Sequence, residues 1–375
     1  MPKFLASINA DNSTSYWDQA PIVIPHQIPQ QLTATKIVLR GLKNPRGLRV
    51  QEDGSLLLVE AGSGTQDAQF SGRLLRVVRD TEGAYLAPQT VVGGFRSMNM
   101  QARMCRDEIF GLADVAFGAG RCLLSQTDYS EGSRIYEIVD GCAHPIIFSH
   151  GNLNSLCYHP KRGSWLTVKP DANQVVEFPN CQSERVVASL PSLPAGQQCV
   201  PVCVTYQANA AAIGDILVSL FTGELARNPA KAGIEFFAKS GRVLRINMAT
   251  GQVSTLIDGL TLPTGIAFSP SGNLLILELC ADFLQPMPRD TVPDFPWHGG
   301  FKRYSGRLLE VNLDTGAIRV LANELDTPSN LCVHGNTVLL SEGMGLPGRK
   351  ISDAGGHCLP LEGFVRQLQL PKDPI

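Results

Sequence analysis

One pattern of short apolar runs and turn residues occurs six times along the chain, and it limits the possible folds more than any other feature. In the first copy, residues 44–78 read NPRGLRVQEDGSLLLVEAGSGTQDAQFSGRLLRVV. Two apolar runs flank the turn Glu52-Asp53-Gly54, and a third, alternating run follows a loop, which predicts three adjacent antiparallel strands. The clearest second copy spans residues 262–312, with LPTGIAFSPSGNLLILE followed by SGRLLEVN. Matching copies so far apart indicate an internal repeat.

Four weaker copies begin at Phe110, Asn154, Pro201 and Ser329. The glycine before each second run recurs at intervals of 43 to 66 residues, at Gly54, Gly120, Gly163, Gly214, Gly272 and Gly335. A further short run follows most of the third runs, so each unit has about four strands. Four strands repeated at this period predict an all-β fold, a six-bladed β-propeller of four-stranded antiparallel blades. A β-sandwich is the alternative, but its strands do not return six times in one pattern.

The sixth unit has no fourth strand of its own, whereas Thr33–Arg40 forms an unassigned apolar strand ahead of the first unit. We therefore expect Thr33–Arg40 to pair with Gly363–Leu370 and close the ring, because closure removes open sheet edges. Residues 1–31 are polar and contain regularly spaced prolines, so we expect an extended arm there. Residues 32–375 are predicted to form a single propeller domain.

The charge of the chain is balanced, with 32 Lys and Arg against 34 Asp and Glu and a net charge of −2. This balance gives no electrostatic reason to expect nucleic acid or an anionic membrane as a partner. No apolar run approaches the ~20 residues of a membrane helix, and residues 1–18 lack the apolar core of a secretory signal. We expect a soluble, cytoplasmic protein, or a secreted one if a signal peptide has been removed; the sequence leaves the oligomeric state open.

The chain contains ten cysteines. Four lie inside predicted strands, where a thiol behaves as a small buried apolar group: Cys122, Cys157, Cys203 and Cys332. The other six lie in loops or at strand ends and could form one or two disulfides in a secreted protein: Cys105, Cys142, Cys181, Cys199, Cys280 and Cys358. No CxxC pair occurs, so a zinc site is not expected.

Long loops follow the second strands of units four, five and six, at residues 221–240, 279–305 and 343–362. In a propeller these loops share one mouth of the central channel with the starts of the first strands. Aromatic residues with a few polar groups are typical of small-molecule pockets, although each ring could instead pack its loop onto a blade. The candidates for substrate binding are Phe221, Phe236, Phe283, Trp297, His298 and Tyr304, together with Met98 and Met100 in the loop after unit one.

Two sets of aligned positions carry the candidate chemistry. The first lies six or seven residues after each turn glycine, at Glu60, Gln126, Lys169, Leu220, Glu278 and Glu342. Carboxylates there either secure the next turn or act on a substrate; in the second case Glu278 and Glu342 move protons, Lys169 polarises a carbonyl and Glu60 contacts substrate. The second set begins the first strands and should face the channel, at Arg46, Phe110, Asn154, Pro201, Thr264 and Ser329.

From the second set we select Arg46 and Asn154. Arg46 is expected to meet the polar end of a substrate together with Lys169. Its charge is expected either to form an ion pair with a neighbouring carboxylate, Glu60 being the candidate, or to be satisfied by the ligand. Asn154 is expected to bind substrate. There is no GxSxG, phosphate-loop or HExxH motif in the sequence.

The segments NPRGL…SGRLLRV and LPTGIAFSPSGNLLILE…SGRLLEV resemble units of NHL-repeat and SMP-30/gluconolactonase-type six-bladed propellers. They most resemble the propeller proteins of scytonemin-type biosynthetic clusters, over roughly residues 32–370. The resemblance implies an enzyme of secondary metabolism. The SMP-30-type lactonases carry carboxylate and asparagine metal ligands where the first strands begin, but Arg46 occupies one such position here and would repel a cation. We therefore expect no metal and no cofactor.

The leading hypothesis is a cofactor-independent enzyme that cyclises or condenses an apolar organic substrate, for example in a Pictet-Spengler or hetero-Diels-Alder type reaction. One alternative is a metal-dependent lactonase with Glu60, Asn154 and Asp282 as ligands. Another is a non-catalytic, protein-binding propeller of the NHL type. A PQQ-dependent sugar dehydrogenase is a weaker alternative, indicated by the PRGL…LLLVEAGSG stretch alone.

Overall fold

The computed structural model describes residues 19–99, 108–190, 193, 197–206, 215–225, 234–281, 301–352, 358–373 and 375. These residues form six antiparallel sheets, each with four principal strands. In five of them the strands follow in sequential order from the innermost to the outermost, and in the sixth the outermost strand comes from the other end of the chain. The first strand of each blade contacts the first strands of both neighbouring blades, so the six sheets surround a central channel. The protein is therefore a six-bladed β-propeller, as the repeat predicts.

Blades 1 to 3 follow the chain without interruption. The strands of blade 1 are Pro45–Val50, Leu56–Glu60, Gly72–Val77 and Gln89–Phe95. Those of blade 2 are Leu112–Gly118, Arg121–Gln126, Ser133–Val139 and Cys142–Ser149. Those of blade 3 are Cys157–His159, Ser164–Lys169, Gln174–Pro179 and Arg185–Ser189.

Blades 4 to 6 contain the longer connections between second and third strands. The strands of blade 4 are Pro201–Tyr206, Asp215–Leu220, Gly241–Asn247 and Val253–Leu260. Those of blade 5 are Pro263–Phe268, Leu274–Glu278, Gly306–Val311 and Ile318–Leu325. Those of blade 6 are Asn330–His334, Thr337–Glu342, Gly363–Gln369 and, from the other end of the chain, Thr35–Leu42.

The loops contain short strands and one short helix. Three two-stranded pairs are Met98–Asn99 with Ile109–Phe110, Gly223–Leu225 with Ile234–Phe236, and Lys350–Ser352 with Cys358–Pro360. A 3-10 helix spans Gln66–Ala68. Within the described part of the chain, no helix has the length and apolar character needed to cross a membrane.

The strand Thr35–Leu42 pairs antiparallel with Gly363–Gln369, which confirms the predicted closure of the ring. The junction depends on a glycine: a Cβ atom at Gly363 would lie 2.4 Å from Cδ of Pro45 and 2.5 Å from the carbonyl oxygen of Leu42. The two ends of the chain are therefore in close contact where blade 6 meets blade 1.

The arm lies along the outer strands of two blades. Residues Ile22–Val23 pair in parallel with Ile257 and Asp258 of blade 4, and Gln30 forms a bridge with Val320 of blade 5. Residues 19–31 thus add backbone hydrogen bonds to outer strands that would otherwise end their sheets.

The core consists of apolar clusters between adjacent blades. Between blades 1 and 2, for example, Leu57, Val59 and Leu74 contact Leu112 and Leu124. Equivalent clusters join every other neighbouring pair, including blades 6 and 1. Among the described cysteines, the free thiols include Cys122, Cys142, Cys157, Cys181, Cys203 and Cys332.

Candidate functional site

A cavity of about 70 Å³ lies at the mouth of the channel where the first strands begin. Phe221 and Met344, from the long loops of blades 4 and 6, are part of its wall, so it opens on the face that carries these loops. Its polar lining includes Arg46, Thr127, Asn152, Asn154, Thr264 and Ser329. A space of this size holds a few water molecules or the polar end of a larger ligand.

Arg46 is the cation of this wall. Its Nη1 donates to Sδ of Met344 at 2.9 Å and its Nη2 to the carbonyl oxygen of Ile109 at 3.0 Å. Among the described residues, no carboxylate lies within 4.0 Å of the guanidinium. Burial lowers the pKa of Arg46, and the charge of nearby Glu108 opposes that shift. The guanidinium is therefore desolvated without a direct anionic partner in the described part of the chain.

Most of the other polar groups in the wall are held by the protein. Thr127 donates to Oδ1 of Asn152 at 2.7 Å, Thr264 to the carbonyl oxygen of Leu277 at 3.2 Å and Ser329 to that of Pro45 at 2.7 Å. The side-chain amide of Asn154 differs, because it makes no hydrogen bond to a described residue. Arg46, Asn152 and Asn154 thus have donors left for a ligand.

Aromatic rings contact one another beside the polar wall. Phe110 lies against Tyr129 with 5.4 Å between ring centroids, on the side of blade 2. Phe221 meets Phe236 edge to face at 5.3 Å, on the side of blade 4. The cavity therefore has apolar surface on two sides of its polar wall.

The buried glutamates of the first aligned set secure turns. Glu60 accepts the backbone N–H of Lys43 at 2.7 Å and Nε of Arg73 at 2.5 Å. In the same way, Glu278 accepts from the backbone of Thr261 and the side chain of Arg307, and Glu342 from the backbone of Asp326 and the side chain of Arg366. The expected ion pair between Glu60 and Arg46 is therefore wrong, because Glu60 binds Arg73 on its own blade.

Lys169 lies away from the cavity. Its Nζ donates to Oε1 of Glu184 at 2.8 Å and to the hydroxyl of Ser149 at 3.1 Å, which ties blade 3 to the outer strand of blade 2. The structure does not bring Lys169 together with Arg46.

The remaining candidates are distributed around the mouth. Met98 pairs with Phe110 in a short two-stranded element at the edge of the cavity. The hydroxyl of Tyr304 accepts a hydrogen bond from Arg303 at 3.3 Å, and this tyrosine is not part of the cavity wall. Four of the candidates for substrate binding lie outside the described residues: Met100, Phe283, Trp297 and His298. The alternative metal ligand Asp282 also lies outside them.

The side chains at the cavity do not fit a divalent metal. Glu108 is the one carboxylate among the described lining residues, and Arg46 stands in the same wall. A hard cation needs several converging oxygen ligands, and a guanidinium nearby repels it. Elsewhere in the described ranges, no three His, Cys, Asp or Glu side chains are grouped to hold a metal ion.

Residues of the wall that sequence reasoning missed include Glu108, Thr127, Asn152 and Met344. Each lies within two residues of an aligned position: Glu108 and Asn152 precede first strands, and Thr127 and Met344 follow second strands. Extending both aligned sets by two residues would have found them.

No protein-family model and no curated protein matches this sequence. Solved structures are similar to it in fold. The PQQ-bound aldose sugar dehydrogenase from Streptomyces coelicolor superposes with a TM-score of 0.53 at 12% identity, covering 91% of this chain and 99% of that one. A luciferin-regenerating enzyme gives 0.52 at 10% identity, covering 90% and 96%. A gluconolactonase from Xanthomonas campestris gives 0.43 at 13% identity, covering 90% and 98%. At such identities the likeness shows the propeller fold alone.

Proposed function

We propose that this propeller is a biosynthetic enzyme that binds an apolar organic substrate in the 70 Å³ cavity lined by Arg46, here called the Arg46 cavity. The enzyme cyclises this substrate, or condenses it with a second molecule, without a metal or redox cofactor. Arg46 carries the proposal. A desolvated charge without a counter-ion is costly, and no described carboxylate lies within 4.0 Å of this guanidinium. A substrate that brings a carboxylate or a carbonyl oxygen supplies the missing partner.

The wall suits such a substrate. The oxygen of the substrate accepts hydrogen bonds from Arg46 and from the amide of Asn154, and its apolar body contacts Phe110 and Phe221. Because the cavity measures about 70 Å³, the polar end occupies it and the body extends towards the mouth. The resemblance of the repeat units to scytonemin-cluster propellers supports a biosynthetic substrate.

In a condensation, the amino group of one substrate attacks the carbonyl carbon of the other, and the electron pair of the carbonyl π bond moves to the oxygen, where Arg46 stabilises the negative charge. This oxygen takes up the two protons that the amine loses and leaves as water, which gives an imine that is then protonated. An aromatic carbon attacks the imine carbon, the new carbon–carbon bond forms as the C=N π bond breaks, and Glu108 accepts the proton that the ring carbon releases. These steps require no oxidant or reductant.

The test is a set of mixtures of an arylethylamine such as tryptamine with an aromatic 2-oxo acid such as phenylpyruvate, followed by mass spectrometry. We expect the protein to accelerate formation of a product that is one water lighter than the sum of its precursors and that borohydride leaves unchanged, since borohydride reduces the open imine of the same mass. Arg46→Met should slow it about tenfold or more, the effect of losing a charged hydrogen bond, while Arg76→Met, at an exposed pair with Asp53, should not. Rates equal to the protein-free rate in every mixture would contradict the proposed reaction class.

A further inference from the structure

A second cavity, of about 400 Å³, opens at the opposite end of the channel, and we call it the Arg49 cavity. Among the described residues, its wall includes the side chains of Val50, Phe117, Tyr158 and Phe268. Among these lining residues Arg49 is the one charged side chain.

The space exists because the first strands carry small side chains around Arg49. Ala116, Thr205, Ala267 and three cysteines line the cavity at this level. Larger residues at these positions would fill the channel, as the aliphatic clusters fill the spaces between blades. The volume lies within the range of roughly 300–1,000 Å³ that is usual for small-molecule pockets.

Arg49 is only partly engaged by the protein. Its Nη1 donates to the carbonyl oxygen of Leu48 at 2.7 Å, and its Nη2 lies 3.4 Å from Oδ2 of Asp114. The pair between Arg121 and Glu137, in contrast, has two contacts, at 2.6 and 2.7 Å. A guanidinium has five N–H donors, so three of those on Arg49 have no acceptor among the described residues.

Asp114 does not depend on Arg49 for its hydrogen bonds. Its carboxylate accepts the backbone N–H of Val115 at 2.9 Å and that of Leu156 at 3.0 Å, and the amide of Asn330 lies 3.5 Å away. Backbone donors thus hold this buried anion, and Arg49 remains available for a second oxyanion.

A thin polar layer separates the two cavities. A Cβ atom at Gly47 would lie 2.0 Å from Oδ1 of Asp114, so the Asp114 side chain occupies the channel over that glycine. Cys203 and Asn330 are the residues that line both cavities. Asp114, Cys203 and Asn330 therefore lie between the two cavities.

We propose that the Arg49 cavity is a second binding site, for a small organic anion with an apolar body. The carboxylate or sulfonate group of the ligand accepts hydrogen bonds from the open side of the Arg49 guanidinium. Its hydrocarbon or aromatic part contacts Phe117, Tyr158 and Phe268. This site is distinct from the proposed reaction site at the Arg46 mouth.

The neighbouring thiols do not compete with such a ligand. Burial raises the pKa of Cys157 to about 12 and also raises the pKa of Cys332. Both are therefore neutral at physiological pH. Burial raises the pKa of Asp114, the carboxyl near Arg49, and the charge of Arg49 is the largest effect that opposes this shift. The oxygens of Asp114 also receive other donors.

The experiment compares two fluorescent probes that differ by one charge: 1-anilinonaphthalene-8-sulfonate and its neutral analogue N-phenyl-1-naphthylamine. We expect the sulfonate to bind the native protein at least tenfold more tightly than the neutral analogue. Arg49→Met should weaken sulfonate binding about tenfold or more and leave binding of the neutral probe nearly unchanged. Ala267→Phe, which fills the cavity without touching the charge, should weaken both.

Arg76→Met is the matched control, because it removes an exposed arginine that lines neither cavity, and it should leave both affinities unchanged. Thermal melts of each variant establish that the fold is retained. The proposal is overturned if Arg49→Met binds the sulfonate as tightly as the native protein, or if both probes bind equally well. Neither result bears on the reaction proposed at Arg46.

Discussion

The arginine side chains of this protein differ in the groups that they contact. Arg73 and Arg307 lie directly across the sheet from the buried glutamates Glu60 and Glu278, with which they form ion pairs. Arg303 and Asp326 form a pair in which both side chains are about 1% exposed. Arg46, in contrast, contacts a thioether sulfur and a carbonyl oxygen. This difference separates arginines that stabilise the fold from one that is suited to a ligand.

The contrast predicts opposite effects on stability. Arg303→Met leaves the carboxylate of Asp326 buried without its partner and should lower the free energy of unfolding by about 3–5 kcal/mol. Arg46→Met removes a desolvated charge and should change the free energy of unfolding by less than about 1 kcal/mol, or raise it. Urea denaturation measures both. Equal losses in the two variants would show that Arg46 is as structural as Arg303.

A second prediction concerns Glu177, on the third strand of blade 3. Burial raises its pKa, but hydrogen bonds from Arg162, Ser164 and Arg185 outweigh burial and lower it from 4.5 to about 2. Because the folded pKa is below the unfolded one, this stabilisation is complete above about pH 4.5 and disappears as the pH falls towards 2. Glu177→Gln should therefore lose less stability than the native protein across that interval in denaturation measured at several pH values. Identical pH dependence in both proteins would refute this assignment.

Among the structural elements, the arm is the one that no repeat unit explains. Its parallel pairing with blade 4 places Ile24 in the cluster between blades 4 and 5, where it is 5% exposed. The preceding residue, Val23, is 65% exposed. The arm thus contributes to the core as well as to backbone pairing.

Replacing Ile24 and Val23 with alanine, one at a time, should separate the contribution of the arm to the core from its contribution to backbone pairing. Ile24→Ala should lower the free energy of unfolding by about 2–4 kcal/mol, since it removes buried methyl and methylene groups and leaves a cavity. Val23→Ala, at the preceding residue, should cost less than about 0.5 kcal/mol. Chemical denaturation measures both, and a small loss for Ile24→Ala would mean that the arm is not part of the cooperative core.

At the scale of the whole molecule, the repeat made the fold predictable. A strand pattern with a glycine turn, repeated six times, leaves few alternatives, and Gly54, Gly120, Gly163, Gly272 and Gly335 all adopt positive φ. The sequence also predicted that first-strand starts such as Arg46 and Asn154 face the channel. It did not predict that Glu60 and Glu278 bind Arg73 and Arg307, since this depends on cross-strand register. The recurring Ser-Gly-Arg that begins several third strands was the available signal.

Ring closure yields a prediction for the complete chain. Deleting residues 364–375 removes the strand between Thr337–Glu342 and Thr35–Leu42, so both neighbours lose their hydrogen-bonded partner. We expect the truncated protein to unfold as a whole, with loss of the cooperative melting transition in calorimetry. A truncated protein with the native melting temperature would contradict the role of this strand in closing the ring.

The central claim, that a ligand binds at Arg46, is tested most directly by calorimetric titration with phenylpyruvate, which carries a carboxylate, a ketone and an aromatic ring. The titration is run in the Arg49→Met background, since phenylpyruvate is itself a small aromatic anion. We expect binding in this background, a dissociation constant about tenfold or more higher after adding Arg46→Met, and no change after adding Lys169→Met. Equal affinity with and without Arg46, or a loss with Lys169→Met alone, would contradict the placement of the site.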